Sequence, residues 1–134
     1  MNASVKSIQT DSRTVFMYWL EFLKPYHKLA NKEVEALSIL LYYRWELSKE
    51  VTNMALVDKL LFSSEIRLKV REDLGGMKSG VFNNLLTTLR RKGVLSKDNK
   101  IIPALIPNIK PDSTGFKLIF DGFSNILFTI MIFG

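Results

Sequence analysis

The chain has 134 residues, of which 47% are hydrophobic and 24% charged. This is enough for one domain with a packed core, and it excludes a chain that is disordered over most of its length. Nineteen Lys and Arg against thirteen Asp and Glu give a net charge of +6, so a polyanion is the first class of partner to consider.

The composition offers little material for an enzyme or a cofactor site. There is no Cys, and His27 is the only His, so thiol catalysis and zinc sites lack their residues, and no nucleophile motif accompanies His27 to form a triad. We therefore expect a non-enzymatic protein without a metal or other cofactor, and no small-molecule ligand is evident. No apolar run of bilayer length and no secretory signal is present, so we expect no membrane association and a cytoplasmic location.

Two helices are predicted near the start of the chain from apolar residues at helical spacing. The first covers residues 14–23 and is expected to stop before Pro25, because proline disfavours helical geometry in the residue ahead of it. The second covers about 32–47, with Asn31 as its N-cap.

Three shorter helices are predicted next. Glycine accepts the positive φ of a helix C-terminus, so Gly75-Gly76 should end the second of the three and Gly93 the third. The turn between those two helices is so short that they must cross steeply. The residues expected to begin the three helices are Thr52 or Asn53, then Ser63 or Ser64, then Lys78 or Ser79.

A small hairpin and an extended segment are predicted after the fifth helix. The hairpin joins Val94-Leu95 to Ile101-Ile102 through a polar turn. Beyond it, residues 104–110 are expected to be extended and non-helical, because Pro103, Pro107 and Pro111 interrupt this stretch.

The end of the chain is apolar. Residues 116–120 alternate weakly as a strand. The last thirteen residues, 122–134, carry no charge. We expect them to form a core strand or helix, or an oligomer contact, since they would aggregate if exposed alone.

Most of the surplus positive charge lies between residues 64 and 100. This segment has nine basic and four acidic residues, a net charge of +5. The order helix, glycine turn, helix and short basic hairpin, with Leu74-Gly75 followed by VFNNLLTTLRRKGVL at residues 81–95, resembles the winged helix-turn-helix of MarR-type regulators. In that family an apolar stripe packs the recognition helix on the core, and a Gly with two apolar residues begins the wing. The matching residues are Phe82, Leu85, Leu86, Leu89, Gly93, Val94 and Leu95.

The resemblance covers about residues 64–102. Together with the elements predicted above, it implies a mainly α (α+β) fold, a winged helix-turn-helix with an additional N-terminal helix and an apolar C-terminal segment. Residues 1–134 would form a single winged-helix domain. Its parts would be an N-terminal helix and arm at 1–30, a helical core with helix-turn-helix and wing at 31–102, and a Pro-rich extension with an apolar tail at 103–134. The resemblance also implies double-stranded DNA as partner and a role in transcription regulation. Apart from the resemblance, we expect a homo-oligomer, as a dimer.

Helical geometry selects the side of the recognition helix that would read DNA. At roughly 100° per residue, the polar side chains of this helix lie opposite its apolar stripe. Asn can pair with adenine N6 and N7, Arg with guanine O6 and N7, and Thr with a base edge or the thymine methyl group. The predicted readers are Asn83, Asn84, Thr87 and Arg91. The predicted phosphate contacts are Lys78, Ser79, Arg90, Lys97 and Lys100.

Two other functions stay open at this point. A small assembly or structural protein, for example of a bacteriophage, would use the same fold for protein–protein contacts and its apolar ends to join neighbours. A single-strand or replication factor would use the aromatic residues of the first two helices as a stacking platform. The helical spacing of those aromatics favours packing in the core or in a dimer.

Overall fold

The computed structural model describes residues 5–10, 12–109, 115–121 and 127–133. Within these ranges the chain is mainly α-helical. The helices are α1 (Val15–His27), α2 (Asn31–Ser48), α3 (Met54–Leu61), α4 (Ser64–Asp73) and α5 (Ser79–Arg91), with one 3₁₀ turn at Pro103–Leu105. The strands are β1 (Val5–Thr10), β2 (Gly115–Asp121) and β3 (Leu127–Phe133). None of these helices combines the length and apolar character that a bilayer span requires.

The first helix extends further than its sequence predicts. Pro25 lies inside α1, which continues to His27. A proline inside a helix costs the hydrogen bond of its missing N–H and crowds the carbonyl four residues earlier, but here only two further residues of the helix follow it. Lys28 then closes it in the left-handed conformation, with φ of 53°. The prediction that the helix stops before Pro25 is wrong.

The second helix has a different cap from the one predicted. Ala30 is the N-cap of α2, and its N–H donates to Glu33 Oε1 at 2.9 Å. Asn31 already belongs to the helix, and its side-chain oxygen accepts from Lys24 Nζ. A carboxylate in the first turn meets the positive end of the helix dipole, so Glu33 replaces a capping side chain here.

The caps and the glycine turn around α3 and α4 are as predicted. Asn53 Oδ1 accepts from the backbone N–H groups two and three residues on, at 3.0 and 3.3 Å. Ser63 Oγ accepts from the N–H three residues on at 3.4 Å. At the end of α4, Gly76 has φ of 81° and its N–H donates to the Arg71 carbonyl at 2.9 Å. These bonds satisfy backbone groups that the helix ends leave unpaired.

One buried apolar cluster connects all five helices. α2 contacts α1, α3 and α4, and its side chains Leu37 and Leu40 are almost fully buried. From α5, Phe82, Leu86 and Leu89 are buried in the same cluster, as the predicted stripe requires. This packing fixes which side of α5 faces outward.

The segment after α5 returns tightly on itself. Leu95 and Ile101 form one isolated antiparallel bridge, and Ser96 N–H donates to the Lys100 carbonyl at 2.8 Å. In the part of the chain that the structure describes, the predicted hairpin consists of a single bridge and its turn. The next residues correct another prediction, since Pro103–Leu105 forms a 3₁₀ turn where an extended chain was expected. A proline fits the first position of a helical turn because that position needs no N–H.

Strands from the two ends of the chain pair in one antiparallel sheet of order β1-β2-β3. Ile8 lies opposite Leu118, which lies opposite Ile130. β1 was not predicted from the sequence. β2 covers the residues expected as a weak strand, and β3 lies within the uncharged tail. Pro111 and Lys110, which belong to the predicted Pro-rich extension, lie outside the described residues.

Candidate nucleic-acid interface

The polar side of α5 lies on the surface of the protein. Because Phe82 and Leu86 are buried, the opposite side of the helix points away from the core. The predicted base readers on that side, Asn83, Asn84, Thr87 and Arg91, are all exposed. The hydroxyl of Thr87 donates to the Asn83 carbonyl at 3.0 Å, so its methyl group and lone pairs remain for contact with a partner.

Four of the five predicted phosphate contacts are also exposed. Lys78 and Ser79 lie at the start of α5, and Lys97 and Lys100 lie in the turn after it. In the part of the chain that the structure describes, none of the three lysine ammonium groups is in an ion pair with a carboxylate. Their charge is therefore available to a polyanion.

Arg90, the fifth predicted phosphate contact, bonds to another side chain of the protein. It is half-buried, and its Nε and Nη2 donate to Asn99 Oδ1 at 3.0 and 2.7 Å. Asn99 has φ of 60°, which asparagine tolerates better than most residues. Arg90 therefore holds the turn of residues 96–100, which carries Lys97, against the end of α5.

Lys92, like Arg90, bonds to other residues of the protein. Its Nζ lies 2.6 Å from Glu33 Oε1 and 2.8 Å from the Lys28 carbonyl oxygen. Burial alone would raise the pKa of Glu33, but the hydrogen bonds from the Ala30 N–H and from Lys92, with the charge of Lys92, lower it overall. The end of α5 is thus anchored to the start of α2 by an ion pair whose carboxylate is 7% exposed.

Arg67 is a neighbour of the α5 surface that is not among the predicted site residues. Its Nε donates to the Phe62 carbonyl at 3.0 Å, and its Nη1 lies 3.4 Å from Asn83 Oδ1. It was counted in the basic segment, but no local pattern pairs it with a residue sixteen positions later. Only the packing of α4 beside α5 brings the two together.

A second polar cluster fixes the other end of α4. Asp73 Oδ2 accepts from Arg13 Nη1 at 3.0 Å and from the Tyr43 hydroxyl at 2.7 Å. The Arg13 guanidinium also lies 4.1 Å from the centre of the Tyr42 ring, within cation–π distance. Burial and the bond to Asp73 raise the pKa of Tyr43. The cluster holds the residue just before the glycine turn, so it supports the placement of α5.

A mainly apolar cavity without α5 residues lies elsewhere in the protein. This cavity of 140 Å³ lies between α1, α2 and the segment after the 3₁₀ turn, lined mainly by apolar side chains such as Phe16, Leu41 and Ile106. Among the described residues, no group of three or more His, Asp or Glu is placed to hold a metal ion.

Comparisons with known protein families, with curated proteins and with solved structures find no match to this chain. The exposed side of α5 and the cations around it are the features of this chain that bear most directly on its function.

Proposed function

We propose that this protein binds double-stranded DNA without catalysing a reaction, as a regulator of transcription, with α5 in the major groove. The observation that carries the proposal is the exposed side of α5, where Asn83, Thr87 and Arg91 offer amide, hydroxyl and guanidinium groups together. An α-helix fits the major groove, and these side chains are the types that read base edges there.

The positions of the free cations support the same orientation. Lys78 precedes α5, and Lys97 and Lys100 lie in the turn that follows it. A helix whose polar side enters the groove would bring these groups towards the phosphates that border the groove. With these three phosphate contacts, the logarithm of affinity should fall against the logarithm of salt concentration with a slope of about −2.7.

The winged helix-turn-helix interpretation also belongs to this proposal. α4, the glycine turn and α5 would form the helix-turn-helix, and the bridged return at Leu95 and Ile101 would form a short wing. The bond from Arg90 to Asn99 supports this interpretation because it fixes the return beside the end of α5. The wing would then present Lys97 to the backbone of the duplex.

The direct test is fluorescence anisotropy with a labelled duplex pool. We expect the parent to bind, and the double variant Asn83→Ala with Arg91→Ala to bind at least about tenfold more weakly. Lys69→Ala is the matched control, because Lys69 is an exposed cation two residues along α4 from Arg67 and therefore on the other side of that helix. We expect it to change affinity by less than about threefold. If the double variant binds the duplex as tightly as the parent does, α5 does not read the DNA.

A second candidate function is favoured by the sheet. Among the described strands β3 is at the edge of the order β1-β2-β3, and its sequence LFTIMIF has no charged residue to discourage pairing with another chain. An assembly protein would use this edge to join copies of itself. Light scattering separates the two functions. A large assembly that forms without DNA and is lost when residues 122–134 are deleted would favour assembly, whereas a dimer or monomer that binds DNA would favour the regulator.

A further inference from the structure

The side-chain oxygen of Asn83 lies within hydrogen-bond distance of a side chain of the neighbouring helix. The bond from Arg67 Nε to the Phe62 carbonyl, 3.0 Å long, fixes the guanidinium beside α5, and Nη1 then faces the side-chain oxygen of Asn83 at 3.4 Å. A guanidinium carries donors only, so the atom of Asn83 that faces it must be the amide oxygen and not the nitrogen. The amide nitrogen, with its two N–H donors, is left for a partner.

We propose that Arg67 sets the base preference of Asn83 and directs it to guanine instead of adenine. The inference rests on the proposed DNA binding and adds to it a positioning residue that acts through Asn83. An unconstrained asparagine reads adenine by accepting from N6 and donating to N7. Once the oxygen is turned towards Arg67, the donors alone face the base, and guanine offers two acceptors, N7 and O6.

The charge of Arg67 acts in the same direction. A cation beside Asn83 disfavours a base edge that presents a donor, such as adenine N6 or cytosine N4, and favours an edge that presents acceptors. Arg67 is half-buried and Asn83 is exposed, so Asn83 is the group nearer to a bound base. Arg67 therefore determines the preference without needing to touch the base itself.

The test begins with selection of duplexes from a random pool by the parent protein. The base position read by Asn83 is the one where Asn83→Ala loses discrimination. There we expect the parent to prefer guanine over adenine by about tenfold, the effect of one good base contact. Arg67→Met removes the donors and keeps an unbranched side chain, and we expect it to abolish or reverse that preference. Lys69→Met, which removes an equal charge on the far side of α4, should leave the ratio unchanged.

A second variant gives a result that does not depend on how well the Arg67 variant folds. Asn83→Asp keeps an acceptor for Arg67 and presents acceptors alone to the base, so the preference should change to cytosine, whose N4 is a donor. If the parent prefers adenine, or if Arg67→Met lowers affinity for all sequences with an unchanged guanine-to-adenine ratio, the inference is overturned while DNA binding stands. If the parent binds no duplex at all, the proposed function and this inference are both wrong.

Discussion

The ammonium group of Lys92 and the carboxylate of Glu33 lie 2.6 Å apart, although the two residues are 59 positions apart in the chain. The pair joins the residue that follows α5 to the first turn of α2. Glu33 is also the group that accepts from the N-cap of α2, so a single carboxylate stabilises the helix start and anchors the helix proposed to read DNA.

Removing the cation should therefore destabilise the fold. Lys92→Met leaves the Glu33 carboxylate buried with one partner fewer, and we expect the free energy of unfolding to fall by about 1–3 kcal/mol. Urea denaturation measures the change. The matched control is Lys32→Met, because Lys32 lies 3.6 Å from Glu35 in an exposed pair of α2, where we expect less than about 0.5 kcal/mol. Equal effects of the two variants would contradict the anchoring role.

The same pair gives the stability a defined pH dependence. The pKa of Glu33 in the folded protein is lower than its ordinary value of 4.5, so the ionised carboxylate stabilises the fold at pH values above 4.5. This contribution is lost as the pH falls from 4.5 through the folded-state pKa. Urea midpoints measured over this range should fall more steeply for the parent than for Lys92→Met. Parallel curves would show that the pair does not lower the pKa of Glu33.

The bond between Arg90 and Asn99 should matter for DNA affinity through the position of the turn. Asn99→Gly keeps the positive φ of that residue but removes the acceptor of Arg90. If Arg90 positions the turn, the variant should bind DNA several-fold more weakly, although the charge of Arg90 is still present. If Arg90 binds phosphate directly, freeing it should leave the affinity unchanged or raise it. Anisotropy with the parent's selected duplex distinguishes the two results.

The helices could be predicted well from sequence because their signals are local. Asn53 and Ser63 cap helices by bonds to residues two or three positions away, and the apolar stripe around Phe82 and Leu86 identifies the buried side of α5. The errors at Pro25 and Asn31 are also local. In both cases a residue type that usually marks a boundary was tolerated by the first or last turn of a helix.

The long-range partners could not be predicted in the same way. Lys92 and Arg90 belong to a basic run that fits both a helix C-terminus and a phosphate site, and only the folded chain places Glu33 and Asn99 beside them. β1 was missed for a related reason, because its pairing partner β2 lies more than a hundred residues later and its own apolar pattern is weak.

Two glycines near the start of α5 should respond to alanine with opposite signs. Neither Gly76 nor Gly80 has any atom within 4 Å of an added Cβ, but Gly76 has φ of 81° and Gly80 lies in the helix. We expect Gly76→Ala to lower the free energy of unfolding by about 1–2 kcal/mol because of backbone strain alone. Gly80→Ala should raise the free energy of unfolding by about 0.5–1 kcal/mol, because alanine has a higher helix propensity than glycine. Thermal unfolding of both variants checks this pair of signs, and two changes in the same direction would contradict the turn geometry.

The salt dependence of duplex binding by the parent and by Arg91→Ala tests most directly whether the exposed side of α5 meets DNA. Arg91 is exposed in the last turn of α5, so its charge can be removed without loss of a packing contact in the core. If it lies against the duplex, the slope of log affinity against log salt concentration should become less negative by about 0.9 for a phosphate contact. A base contact would instead lower affinity for the selected site by about tenfold. An unchanged slope and affinity, or parent binding that does not respond to salt, would contradict the account.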